Sequence, residues 1–497
     1  MTGSRTHDGV KSSQAWRSSA AQRLTLPTVL TGVLLVAMAI SGTAVALPRI
    51  GADLRTAGSA LNWVVAGYNL AFAVCTLICG SLADVVGRRR VFSGSAAAFA
   101  LGALICAVGP NIAVVDLGRI VAGVGGAGVM AAGGALLAHA YSGPALTRAF
   151  ALMGTVAGIG IAVGPSLSGV LIQSLGWRGS FGAYVAIAIL LFAGSRGLAE
   201  SRAPGPHRID RIGISTCVIG LSGVMVVVLE GPERGWDAPL VVAAAAAGIV
   251  LLAVFILSQR RVAAPLLDPS LMRNRQFIGW VLSALTTSVG FLGVLVYLPT
   301  YLQSVGDMDS AATGLTIVLL TGPVLVLPLV AGAAVNAGVS PRLLLALALG
   351  TVVAGNLWLS TLPVDITAAT LAAPLLCIGI GMGITFGISD GQAMRLIPAH
   401  RAGMAAGFLN MVRGAAEALV IAAFSALLVS ILATRLGATV AATTAAGTID
   451  VSDPAGQAEA FRWSWQLTQY IVAAVCAALS AMALILTRPA TQHDTQL

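Results

Sequence analysis

The sequence predicts an all-α polytopic membrane protein, on three observations. The chain of 497 residues is 57% hydrophobic and only 9% charged, with a mean hydropathy of +0.91; an ordinary globular domain carries roughly a quarter charged residues. Apolar runs of about 20 residues recur from Leu26 to Leu486, the length a helix needs to cross a ~30 Å hydrocarbon layer. The few charges gather between those runs. The runs are continuous rather than alternating, which selects helices over barrel strands.

A polar tail, residues 1–25, precedes the first run, and many runs follow it, so that run is not read as a cleaved leader. Fourteen spans are expected, at about 26–47, 61–82, 92–109, 117–139, 147–172, 181–198, 211–229, 239–258, 277–301, 311–332, 341–361, 366–389, 407–433 and 466–490. Gly and Pro inside them are ordinary for membrane helices. The 199–210 segment "AESRAPGPHRID" reads as a linker between six preceding helices and eight following ones. The longest connection, 434–465, is rich in small and polar residues and reads as an extracellular loop, with a short tail at 491–497.

Charge gives the orientation. With the N-terminus in the cytoplasm, twenty Lys and Arg fall on the inner side, among them Arg88, Arg89, Arg90, Arg260, Arg261, Arg395 and Arg401. Six fall outside: Arg49, Arg55, Arg178, Arg234, Arg435 and Arg462. This bias puts both termini in the cytoplasm, with the chain in the plasma membrane. Trp63, Trp236, Trp463 and Trp465 fall near outer ends, which suits interface anchors and, for one or two of them, ordinary packing residues.

The same pattern argues against other classes. The net charge of +9 is dispersed in short clusters rather than gathered into a patch, so no nucleic-acid partner is expected. Six cysteines all fall inside apolar runs and read as small hydrophobes. His7, His139, His207, His400 and His493 are scattered without ligand spacing. No metal, cofactor or enzymatic centre is expected. A channel would show a repeated pore-lining segment, and a receptor a soluble output domain.

Four stretches carry charge or backbone irregularity where lipid penalises both. In "GSLADVVGRRR", Asp84 ends the second run; Gly80 and Gly87 permit close approach or a tight turn, and Arg88, Arg89 and Arg90 follow. Asp84 and Arg88 are spaced to pair, as a gate latch or within a topology-setting loop. Arg119 lies a few residues into the fourth run, where a buried arginine requires water or hydrogen-bond partners, and Asp116 is three residues earlier. Gly123, Gly125, Gly126 and Gly128 fit GxGxxG, but no strand precedes them, so helix packing is the better account. In the fifth run Gly154, Gly158, Gly160 and Gly164 precede Pro165, giving a helix that can approach a neighbour closely and bend, as a static contact or a moving one. Arg413 and Glu417 are four apart in a small, apolar helix and are spaced to pair. A carboxylate there serves either a structural pair or a proton site. Asp390, at the end of the twelfth run, reads as a water-facing residue.

These stretches resemble the signatures of the major facilitator superfamily, and specifically its fourteen-helix drug:proton antiporter branch. "GSLADVVGRRR" is similar to the loop signature after helix 2, through Gly80, Asp84, Gly87, Arg88 and Arg90. "RIVAGVGGAG" is similar to the helix 4 signature, with Arg119 at its arginine. "GIGIAVGPSLSG" resembles the helix 5 antiporter signature, with Gly160, Gly164, Pro165 and Gly169 in place. "LNWVVAGYNLAFA" supplies Trp63 and Tyr68, and "PLLDPSLMRNRQF" with "YLPTYLQSV" looks like the helix 9 region. Departures are Ala39 at an often acidic helix 1 position, Ala44 for asparagine, Ala122 for glutamine, Ser168 for glycine, and Asn336 in a degenerate second loop signature.

The resemblance implies a major facilitator fold: a six-helix bundle at 26–198, a linker with two inserted helices at 199–265, and a second six-helix bundle at 266–490. It implies secondary active export of amphiphilic organic compounds or antibiotics by proton antiport and alternating access. Glu417, Arg413 and Arg119 are then the proton-coupling candidates, with Glu417 compensating for the acid missing at Ala39. The coupling ion is H+, the partners are a small amphiphilic organic substrate and the lipid bilayer, and the chain acts as a monomer. The alternatives are a dedicated exporter of one metabolite and a non-transporter class such as a polytopic channel.

Overall fold

The computed structural model describes residues 5–488 apart from 57–58, 203–209, 263–264, 266, 307, 309, 362–366, 399–400 and 446–452. Much of the expected linker, part of the 434–465 connection and the tail at 491–497 therefore lie outside the described residues. The chain divides into two compact units. One comprises Met1–Ser222, Ala247–Asp268 and Ile397–Met411, the other Gly223–Ala246, Pro269–Leu396 and Val412–Leu497.

The first unit holds α1 (Arg5–Gly42), a 3-10 turn (Thr43–Ala46), α2 (Leu47–Leu54), α3 (Ser59–Val86), α4 (Arg88–Val108), α5 (Ile112–Ala140) and α6 (Gly143–Ser195). α5 sits at its centre, packed on by α1, α3, α4 and α6. Its composition explains the position. Gly123 faces the Tyr68 backbone, Gly125 the Phe99 backbone and Gly128 the Ser95 side chain, so any larger residue there would push α3 or α4 away. Asn111 starts the helix by accepting the Val114 N–H at 3.1 Å.

α6 is 53 residues long but is broken at Gly176, whose φ of 72° and ψ of 171° leave the helical region. Residues 143–175 and 177–195 are thus two helices with no separate loop between them. The break is clamped by α2. Trp177 Nε1 donates to Asp53 Oδ2 at 3.1 Å, and Arg178 pairs with the same carboxylate. The Arg178 guanidinium also covers the Trp177 ring at 4.1 Å and donates to the Gly109 carbonyl at 3.2 Å. Arg49 donates to the Ile172 carbonyl at 3.1 Å and, with Asp53, Trp177 and Arg178, lines an open depression of about 610 Å³.

α7 (Arg211–Arg234) and α8 (Pro239–Gln259) contribute residues to both units. The second unit continues with α9 (Pro269–Arg273), α10 (Arg275–Ser304), α11 (Ser310–Asn336), α12 (Pro341–Leu359) and α13 (Ala368–Arg395). It ends with most of α14 (Ala402–Leu436), α15 (Ala438–Ala445) and α16 (Pro454–Leu486). α13 packs against α10, α11 and α12, while α16 packs against α10 and α12. An aromatic cluster fills the core. Tyr301 stacks on Trp465 at 5.0 Å, and Phe461 and Phe424 meet those rings edge-on at 5.3 and 5.8 Å. The 434–465 connection, expected as a loop, carries α15 and the first turns of α16, capped by Asp453 on the Gly456 N–H at 3.0 Å.

Twelve helices among the described residues are long and apolar enough to cross a membrane, with α6 counted once. The apolar part of α7, Ile212–Val227, is shorter. Leu190, Ile249, Leu315 and Leu343 are 65–74% exposed, an outward face that suits hydrocarbon and not water. The fold is all-α and polytopic.

The clamp on the α6 break predicts a pH signature. Hydrogen bonds from Arg178 and from the Trp177 indole hold the Asp53 carboxyl below its ordinary value of 3.8. A depressed acid stabilises the fold fully above its unfolded pKa and loses that contribution as pH falls through the folded value. The melting-temperature gap between wild type and Asp53→Asn should therefore be constant from neutral pH down to about 5 and close below about 4. A gap independent of pH through that range would rule the clamp out.

Candidate functional site

In the first unit, α3 ends at Val86 and Gly87, at φ 123°, makes the turn into α4. The turn folds Arg88 back onto Asp84. Nε and Nη2 both reach Oδ1, at 3.2 and 2.9 Å, and Arg88 is 1% exposed. The same carboxylate accepts the Gly403 N–H at 3.0 Å on Oδ1 and the Met404 N–H at 2.9 Å on Oδ2. Those are first-turn donors of α14, which have no intrahelical partner, and the positive end of the helix dipole adds to the attraction. Asp84 thus caps a helix 319 residues further along the chain. Gly80 makes this possible, because its α-carbon lies against the backbone of Gly403 and Gly407. Beside them Arg401 pairs with Asp268 at 2.6 Å. Arg89 and Arg90 each approach Glu200 at 3.7 Å, with Arg90 largely exposed, so this outer pairing adds little.

Arg119 is 2% exposed. Nε donates to the Val64 carbonyl of α3 at 2.7 Å and Nη2 to the Ala39 carbonyl of α1 at 3.4 Å. Its guanidinium covers the Tyr68 ring at 4.3 Å. No described carboxylate lies within ion-pair distance of it. Ala39, where the family resemblance looks for an acid, supplies a backbone oxygen instead. Gly160 and Gly164 of α6 lie against Ala37 and Ser41 of α1, and Ser41 Oγ donates to the Gly160 carbonyl at 3.2 Å. Pro165 follows inside the helix, Ser168 Oγ bonds the Tyr184 hydroxyl at 3.1 Å, and Gly169 meets only Val45.

In the second unit the expected Arg413–Glu417 pair is not formed. Arg413 turns across to α13, donating from Nη2 to Asp390 Oδ1 at 2.8 Å and covering the Phe386 ring at 4.9 Å. Glu417 is half-buried and holds no ion pair among the described residues. Asp390, read from sequence as water-facing, is 13% exposed and is the arginine's partner. An acid in an otherwise apolar run was the available signal; which arginine it met depended on a second helix. One turn further along α14, an apolar pocket of about 330 Å³ is lined by Val420 and Phe424 with Val289 and Val472. Among the described residues no cluster of His, Cys, Asp and Glu is placed to hold a metal ion.

These elements belong to a known family. The sequence profile of the Major Facilitator Superfamily matches residues 29–421, and the chain is a member of that superfamily. It is 30% identical over 403 residues to the Puromycin resistance protein pur8 of Streptomyces alboniger, covering 80% of each chain. It is 30% identical over 423 residues to the Multidrug resistance protein Stp of Mycobacterium tuberculosis, covering 84% of this chain and 77% of that one. The fold matches the human organic anion transporter MFSD10 (TETRAN), with a TM-score of 0.59 at 15% identity over 92% of this chain and 99% of that one. It also matches the proton:xylose symporter XylE, with a TM-score of 0.57 at 14% identity over 93% and 96%.

The capped pair predicts an energetic signature. Asp84→Asn leaves a buried arginine without its carboxylate, a loss of about 3–5 kcal/mol for such pairs. The variant should melt well below wild type in detergent, and Arg88→Met on that background should recover part of the loss. Equal melting temperatures for wild type and Asp84→Asn would contradict the assignment.

Proposed function

We propose that the protein is a secondary exporter of amphiphilic organic compounds, antibiotics among them, working by proton antiport and alternating access. The observation that carries this reading is similarity over about four-fifths of the chain to proteins named for puromycin and multidrug resistance. On this reading the chain crosses the plasma membrane fourteen times. With α6 counted as two crossings because of its break at Gly176, and α7 counted as one, the twelve long apolar helices become fourteen. The arginine bias then puts both termini in the cytoplasm.

The Asp84 clasp on α14 is the cytoplasmic gate in its closed state. Gly80 and Gly87 shape it, Arg88 neutralises it and Arg90 anchors it at the headgroups. Opening requires Asp84 to release two N–H groups and a helix dipole together, so the gate is either fully held or free. The glycines of α6 with Pro165 form a surface that slides. Glu417, without an ion pair and beside an apolar pocket, is the proton carrier of the second unit, with Arg413 on Asp390 holding a compensating charge nearby. Arg119 is the fixed cation of the first unit. Export of a single metabolite is the second reading, favoured by 28% identity over 381 residues to a Probable actinorhodin transporter of Streptomyces coelicolor.

Growth inhibition in cells with and without the gene, over a panel containing puromycin and ethidium, tests the reading when paired with direct efflux of the hits. Resistance to several unrelated amphiphiles, abolished by a protonophore, is expected. Protection confined to one compound selects the metabolite exporter, and efflux indifferent to the pH gradient rejects antiport. In sealed vesicles Glu417→Gln should lose substrate-induced proton release; release at the wild-type level removes Glu417 from the mechanism.

A further inference from the structure

The acids of the first unit whose side chains are described are accounted for with one exception. Asp53 holds Arg178, Asp84 holds Arg88 and the start of α14, Glu200 faces Arg89 and Arg90, and Asp268 holds Arg401. Asp210 accepts the Gly213 N–H and the Gln259 amide, both at 2.7 Å. Among the described residues Asp116 has no ion pair, and its Oδ1 is buried with no hydrogen-bond partner. It lies on α5 one turn before Arg119, the buried cation held by the Val64 and Ala39 carbonyls and the Tyr68 ring. An ionised carboxylate in that position would draw the guanidinium toward it. A neutral carboxyl leaves the guanidinium on α1 and α3, which is the arrangement observed.

Resting on the antiport reading, we propose that Asp116 is the proton-carrying carboxyl of the first unit, its protonation deciding which partner Arg119 holds. Taking up a proton from water forms an O–H bond at Asp116 and frees Arg119 to tie α5 to the Val64 and Ala39 carbonyls. Giving the proton back to water on the other side restores the carboxylate, which draws Arg119 into a pair along α5 and releases α1 and α3. The groups facing this site come from every helix packed on α5. α3 brings Tyr68, whose hydroxyl is also buried without a partner. α4 brings Cys106, whose Sγ donates to the Val115 carbonyl at 3.5 Å. α6 brings Tyr184, donating to the Met38 carbonyl at 3.2 Å, and Arg178, on the Gly109 carbonyl before α5 begins. α1 offers only the Ala39 carbonyl to Arg119. Asp116 is the one acid among these groups apart from Asp53, which Arg178 already occupies.

The test needs no knowledge of the substrate. Infrared difference spectra of the full chain in lipid vesicles, stepped from about pH 5 to about pH 9, report buried carboxyls through their C=O stretch. Asp116→Asn should remove a titrating band that Glu417→Gln leaves in place, and Asp116→Glu should shift it. A wild type with no titrating carboxyl, or an unchanged band in Asp116→Asn, overturns the proposal. If the Asn variant fails to fold, Asp116→Glu decides alone, and an unshifted band overturns it. With ethidium as the probe, pH-gradient-driven efflux from vesicles should fall about tenfold or more in Asp116→Asn and persist in Asp116→Glu. Wild-type vesicles that move no ethidium against a pH gradient would count against the antiport reading, while the infrared titration still decides for or against Asp116.

Discussion

Hydrocarbon offers a charge nothing to bind, so each ion inside this chain must bring its own partners. Removing an ion from water costs several kcal/mol even after relaxation, and a whole domain is stable by only about 5–15 kcal/mol. One unpaired ion would therefore consume a large share of the fold's stability. The chain meets this constraint in three ways. Arg88 is neutralised by a carboxylate on the same turn of chain and Arg413 by a carboxylate on the preceding helix, while Arg119 stays charged and is solvated by carbonyls and an aromatic face. Each solution joins particular helices, so the charges that cost most also fix which helix lies beside which.

The clasp at Asp84 shows how such a charge becomes conditional. A carboxylate that satisfies an arginine on its own turn needs no second partner, yet this one also takes two N–H groups from the start of α14. The first turns of α14 group with one compact unit and the remainder with the other. Those two N–H groups are orphans of helix geometry and can be satisfied by water instead. The link is therefore strong when dry and easily exchanged when wet.

The fold was legible wherever one segment's own pattern decides the outcome. Long apolar runs dictate helices because lipid forbids unsatisfied backbone, and Gly-rich α5 reads as a packing helix without knowledge of its neighbours. What was not legible depended on a second segment. Arg413 is four residues from Glu417, but it reaches across to Asp390 on α13, and periodicity along one helix carries no trace of that. The stretch "SLGWRGS" reads as a connection between two runs; in the structure it stays helical on both sides of Gly176, because Trp177 and Arg178 find Asp53. Gly and small polar residues at 434–465 suggested a loop, whereas α15 forms there. Asp116 was visible as a neighbour of Arg119; that its Oδ1 has no hydrogen-bond partner among the described residues depends on where α1, α3, α4 and α6 lie, which one segment does not encode.

The glycines along the middle of α5 carry a consequence for how this chain tolerates genetic change. Most protein cores fail by losing atoms, since a large side chain can be trimmed and a hole left behind. A helix already stripped to its backbone has nothing to trim. Every missense error in the codons of Gly123, Gly125 or Gly128 adds bulk against α3 or α4, so harm there runs in one direction. Compensation has to come from the opposing helix shrinking, and lineages should change such positions in pairs or not at all.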